Sequence, residues 1–181
     1  MDKTKKSGFT VVLIAVMAAM TAVLDMFGTI AFPFIYGVSA FYVASAFYLI
    51  FINNFHWKGA IAVYLGLIIA SLFKSFSLFP LYGAWGNVIA ESFIVLVMRK
   101  AGRSIELKSK MDFVVISVLY LIAPVISAFW VVGGWVVVGI VPGEAFPAIL
   151  LGWWLGGVIV HFVIATPLLK FVSPLIRRFR I

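Results

Sequence analysis

The chain has 181 residues, 65% of them hydrophobic and only 11% charged, with mean hydropathy +1.19 and net charge +8. Soluble domains carry roughly a quarter charged residues, so this composition points to an integral membrane protein with no length left for a separate soluble domain. Cysteine is absent, which excludes disulfides and thiolate chemistry. In a membrane chain the positive charge orients the helices; a nucleic-acid partner is not implied.

A charged start, Met1–Lys6, leads into an apolar run over Phe9–Phe27. That run is long for a signal peptide and no small-residue cleavage site follows, so it reads as a first membrane span. Within it Ala15, Ala18, Ala19 and Ala22 recur at i, i+3, i+4 and i+7. Such a stripe lets another helix approach closely, either inside this bundle or on another membrane subunit. Asp25 closes the span as a solvated helix-end carboxylate. Further spans are expected at Phe34–Ile52, Gly59–Phe73, Gly83–Met98, Asp112–Gly133 and Pro147–Lys170. Glu144, in VPGEAFP, favours the N-terminus of the last one. The expected fold is an all-α, six-helix transmembrane bundle, one domain over residues 1–181.

Charge sets its orientation. The N-terminus, the 53–58 and 99–110 loops and the C-terminal tail hold 13 of the 14 Lys and Arg residues, leaving only Lys74 on the other side. The positive-inside rule then places both termini in the cytoplasm of a multi-pass cell-membrane protein. Tryptophan is asymmetric the opposite way. Trp85, Trp130, Trp135, Trp153 and Trp154 lie toward the outer side and only Trp57 is inner. An interfacial belt and an outward aromatic pocket both produce such a pattern.

Inside the fourth span sits Glu91, with Asn87 one turn away on the same face. A carboxylate at that depth costs about 2.5–3.5 kcal/mol on insertion scales, which marks a functional group or a packing pair. At 1.5 Å per residue Glu91 lies ~12 Å above the inner boundary at Arg99, and His161 lies ~13 Å above Lys170. The two therefore share a depth. Trp153 or Trp154, Gly157 and His161 share a face and form a plausible ligand wall, although a lone histidine is also satisfied by a backbone carbonyl. There is no phosphate-cradling G-x-x-x-x-G-K-[ST] loop, no H-E-x-x-H and no G-x-S-x-G. With two isolated histidines and no cysteine, neither a metal site nor a cofactor is expected, and no enzyme motif is present.

The alanine-rich AVMAAMTAVL, the stretch LIFINNFHWKGAIAVYLGLIIASLF, and the pairing of YGAWGNVIAESFIVLVMRK with GWWLGGVIVHFVIATPLLK together resemble the substrate-binding S component of energy-coupling factor (ECF) vitamin transporters. The resemblance implies capture of a vitamin or vitamin precursor from outside, docking on a scaffold transmembrane subunit, and energy from two partner ATPases. It implies Asn87, Glu91, Trp130, Trp153, Trp154 and His161 as substrate-binding residues, and Ala15, Ala19 and Ala22 as docking residues. Gly156-Gly157 replaces the Gly-Asp often found in the closing helix. A thiamine-like or other cationic heterocycle stacked on tryptophan suits Glu91 best. The rival readings are a stand-alone proton-coupled transporter, with Glu91 and His161 as relay, and a membrane sensor module.

The orientation is directly testable. Cysteines introduced at Ser104 and Ser75 should react with impermeant thiol reagents from opposite sides, Ser75 from outside; labelling of both from outside would refute it.

Overall fold

Backbone that crosses a membrane must satisfy its own polar groups, and apolar runs of this length do so as helices. The computed structural model describes residues 3–27, 29–34, 38–74 and 79–178. Ser75 therefore lies outside the described residues. The helices are α1 (Lys3–Phe27), α2 (Ala44–Phe55), α3 (Trp57–Lys74), α4 (Phe79–Lys100), α5 (Lys110–Val137) and α6 (Phe146–Val160). After α6 the chain continues through two π-helical turns, His161–Ala165 and Leu168–Val172, into α7 (Ser173–Arg178). Among the described residues, four stretches are long and apolar enough to cross a membrane: Gly8–Phe27, Phe79–Lys100, Lys110–Val137 and Gly143–Arg178. Ala44–Phe55 and Trp57–Phe73 are apolar but shorter. The chain is thus a multi-pass helical membrane protein.

The expected second span, Phe34–Ile52, is corrected by the structure. Its first part is strand, and helix begins only at Ala44. Strands β1 (Thr29–Phe34) and β2 (Val38–Tyr42) pair antiparallel, with a register shift between Ile30 and Pro33. The segments TIAFPF and VSAFY are rich in aromatic and β-branched residues, and Pro33 denies a helix its donor. Hydropathy alone does not register either effect. The twelve residues of α2 span only about 18 Å, well short of a ~30 Å hydrocarbon core.

Side-chain contacts place the helix ends at two levels. At one end the Lys58 ammonium donates to Thr10 Oγ1, and Arg99 reaches the Asn53 carbonyl and the His56 ring. Asn54 bonds Ser173, and Glu106 pairs with Lys108 and Arg177 at the same end. There α5 begins on a capping box: Ser109 Oγ accepts the Asp112 N–H at 3.1 Å, and Asp112 Oδ2 accepts the Ser109 N–H at 2.9 Å. At the opposite end Asp25, Tyr42, Phe79, Tyr82, Trp135 and Trp153 gather. Basic residues therefore crowd one end and aromatic residues the other.

Helix α1 turns Met17, Ala18, Thr21, Ala22 and Asp25 inward, a face of period i, i+4, i+8. It packs on α3 at Gly66, where an added Cβ would collide with the Ala18 carbonyl and the Thr21 side chain. Large apolar residues elsewhere, including Val12, Leu96, Val118 and Val163, point outward as a lipid-facing surface requires.

Gly66→Val should push α1 off α3 and lower stability by about 1–3 kcal/mol, the usual cost of overpacking. Thermal unfolding of detergent-purified protein measures it, with Gly152→Val, where an added Cβ meets open space, as the neutral control.

Candidate functional site

Helix α4 buries Ala84, Val88, Glu91, Val95 and Met98 along one face. Glu91 is carried inward because it occupies that face, at a spacing that alternates three and four residues. Opposite it, His161 stands at the first π-helical turn after α6 and is 2% exposed. The His161 Nε2 atom lies 3.1 and 3.2 Å from the two Glu91 carboxylate oxygens, and Nδ1 lies 2.6 Å from the Gly157 carbonyl.

A carbonyl only accepts, so the short Nδ1 contact is a donation to Gly157, and Nε2 is left facing the carboxyl group of Glu91. Glu91 and His161, which the sequence sets at a common level, are in direct contact.

Three helix irregularities converge here. Pro124 inside α5 leaves the Tyr120 carbonyl without its usual helical donor. Pro124 packs directly on Gly157, where an added Cβ would come within 2.7 Å of the proline ring. The π-helical turn passes the His161 carbonyl to the Thr166 N–H, and Thr166 Oγ1 also donates to it at 3.1 Å. Insertions of this kind recur at functional sites because they re-aim a side chain without breaking the helix. The Tyr120 ring lies 4.9 Å from the imidazole and completes the enclosure.

Toward the aromatic end lies a second polar group that the sequence reading missed. Asp25 is 5% exposed, not solvated as expected from its place at a helix end. It accepts from the Tyr42 hydroxyl, and the Tyr48 hydroxyl lies 3.4 Å from it and 2.6 Å from that of Tyr42. The hairpin carries Tyr42 over the end of α1, and α2 brings the fully buried Tyr48 beneath it. The Trp153 ring faces Tyr42 at 6.5 Å and Trp135 at 5.8 Å. A buried acid thus sits under a wall of four aromatic rings.

The remaining expected residues divide. Asn87 is half-buried and accepts from Ser127 on α5 at 2.9 Å. Trp154 donates to the Leu121 carbonyl at 2.8 Å, so its polar edge is committed to α5. Trp130 does not join the Glu91–His161 pair. It stacks on Tyr82 at 5.1 Å, donates to the Tyr82 carbonyl, and lines an outer groove of about 480 Å³ with Ile122, Val125, Ile126 and Phe129. Its position along the membrane suits a shared pocket, but its direction around α5 is set by close packing at Gly86. On α1 the stripe splits: Ala15 and Ala19 are exposed, while Ala18 and Ala22 are buried. Ala22 is therefore not on the outward surface expected for docking, because it turns toward the interior alongside Ala18. Glu144 is exposed in the turn before α6. No group of three His, Asp or Glu side chains suited to a metal occurs among the described residues.

Breaking the pair should have asymmetric consequences. His161→Ala leaves a buried carboxylate uncompensated and should cost about 3–5 kcal/mol. Glu91→Gln retains a bonding partner for neutral His161 and should cost far less; thermal unfolding of the two variants side by side checks this order.

Comparison of the chain with protein-family models, with curated proteins and with solved structures gives no match.

Proposed function

We propose that this protein is a membrane-embedded substrate-capture subunit of the S-component type, taking a small cationic or hydrogen-bond-donating heterocycle from the outer side. One observation carries the reading: a buried acid under aromatic rings, Asp25 with Tyr42, Tyr48 and Trp153, stands at the end of the bundle opposite the basic loops. A vitamin or vitamin precursor with a thiamine-like charge and ring system suits carboxylate and aromatic faces together. Glu91 and His161 lie deeper and supply charge and proton balance beneath the aromatic cluster. The exposed Ala15 and Ala19 offer a small-residue surface for a scaffold membrane subunit, and two partner ATPases would supply the energy. On this reading the chain itself is not an enzyme.

The buried contact between Glu91 and His161 favours a second reading, a proton-coupled transporter acting alone. The two readings diverge in one experiment. Purified chain is titrated with a panel of vitamins and precursors while its tryptophan fluorescence is followed. The capture reading expects one compound to bind the isolated chain, Asp25→Asn to weaken a cationic ligand by about 1.5–3 kcal/mol, roughly ten- to a hundred-fold in Kd, and Glu91→Gln to weaken it less. The proton-coupled reading expects retained binding and loss of gradient-driven uptake. A wild type that binds no compound in the panel removes the basis for capture.

Docking is tested separately. Bulky residues at Ala15 and Ala19 should abolish uptake in cells while leaving ligand binding by the purified chain intact. Loss of binding would assign the stripe to internal packing.

A further inference from the structure

Two carboxamides, Asn53 and Asn54, close α2 at the basic end of the bundle. Asn53 is 1% exposed and Asn54 is fully buried. Asn54 Nδ2 donates to the Ile50 carbonyl at 2.9 Å and to Ser173 Oγ at 3.0 Å. Asn54 Oδ1, and both Oδ1 and Nδ2 of Asn53, have no partner among the described residues. Native interiors leave such groups unpaired rarely, and the desolvation cost of each is large enough to demand a reason.

The unmet set is specific. Two carbonyl oxygens need donors, and the two N–H groups of the Asn53 amide need acceptors. An anion supplies no donors. A metal cation cannot accept from Nδ2, and the site already has a positive neighbour, since Arg99 Nη2 bonds the Asn53 carbonyl at 2.8 Å. Water donates and accepts at once, and internal waters typically make two to four such bonds.

We propose that Asn53 and Asn54 each hold internal water at the end of α2, Asn54 beside Ser173 at the start of α7. Between this site and the Glu91–His161 pair lie Ala165 and Leu169, both fully buried, at four-residue steps from His161 to Ser173. These two residues form a dry layer. Water held at the basic end therefore stops short of the pair. This inference does not depend on the identity of the substrate.

The test is radiolytic hydroxyl labelling of the full chain in nanodiscs, where bound water marks the buried side chains next to it. Buried Ile50 and Ile52 should label several-fold faster than the equally buried Leu169, Ile94, Ile116 and Val160, which have no such site. Asn53→Leu should reduce that labelling and lower the thermal midpoint by a few degrees. The proposal is overturned if Ile50 and Ile52 label no faster than the comparison residues. It is also overturned if Asn53→Leu raises the midpoint, as removal of a bare, unhydrated amide would. Should that variant fail to fold, the wild-type labelling pattern decides alone.

Discussion

The bundle is organised around one constraint, the cost of holding the Glu91 carboxylate in a medium that does not solvate it. His161 meets that cost only if its ring reaches both carboxylate oxygens while its other nitrogen finds a carbonyl. That demands a particular rotation of the helix after α6, which the π-helical turn provides, and a particular closeness to α5, which Gly157 permits against Pro124. Pair, turn and glycine contact are one arrangement. Replacing any of them moves the imidazole relative to the acid.

A second arrangement lies above it. The hairpin is the only non-helical element of any length among the described residues, and its last residue, Tyr42, bonds Asp25. The fully buried Tyr48 joins Tyr42 and Asp25 in one hydrogen-bonded cluster. Polar groups so enclosed strengthen one another electrostatically, and the enclosure also makes each omission expensive.

Much of this was readable from residue order because depth along a helix is simple arithmetic. Glu91 and His161 could be set at one level by counting from Arg99 and Lys170, since rise per residue is nearly invariant. Direction around the helix is less accessible. Trp130 belonged at the right height, yet it faces an outer groove because Gly86 fixes how α5 lies on α4. Asp25 was misjudged for a related reason. A helix-end carboxylate looks solvated until a distant segment folds over it, and the hairpin that does so lay within a stretch whose hydropathy resembled a continuous span. One signal was present: the aromatic and β-branched residues around Pro33 favour strand. The alanine stripe shows the same limit, because i, i+3, i+4 and i+7 cover an arc wide enough to straddle buried and exposed surface.

The two π-helical turns between His161 and Val172 also have a mechanical meaning. Each holds one residue more than an α-helical turn, and releasing that residue rotates everything beyond it by about 100° without breaking the helix. The two turns therefore set the phase of Trp153 and Trp154 relative to Ser173 and Arg177, and deleting one residue from either turn would reset that phase by about 100°.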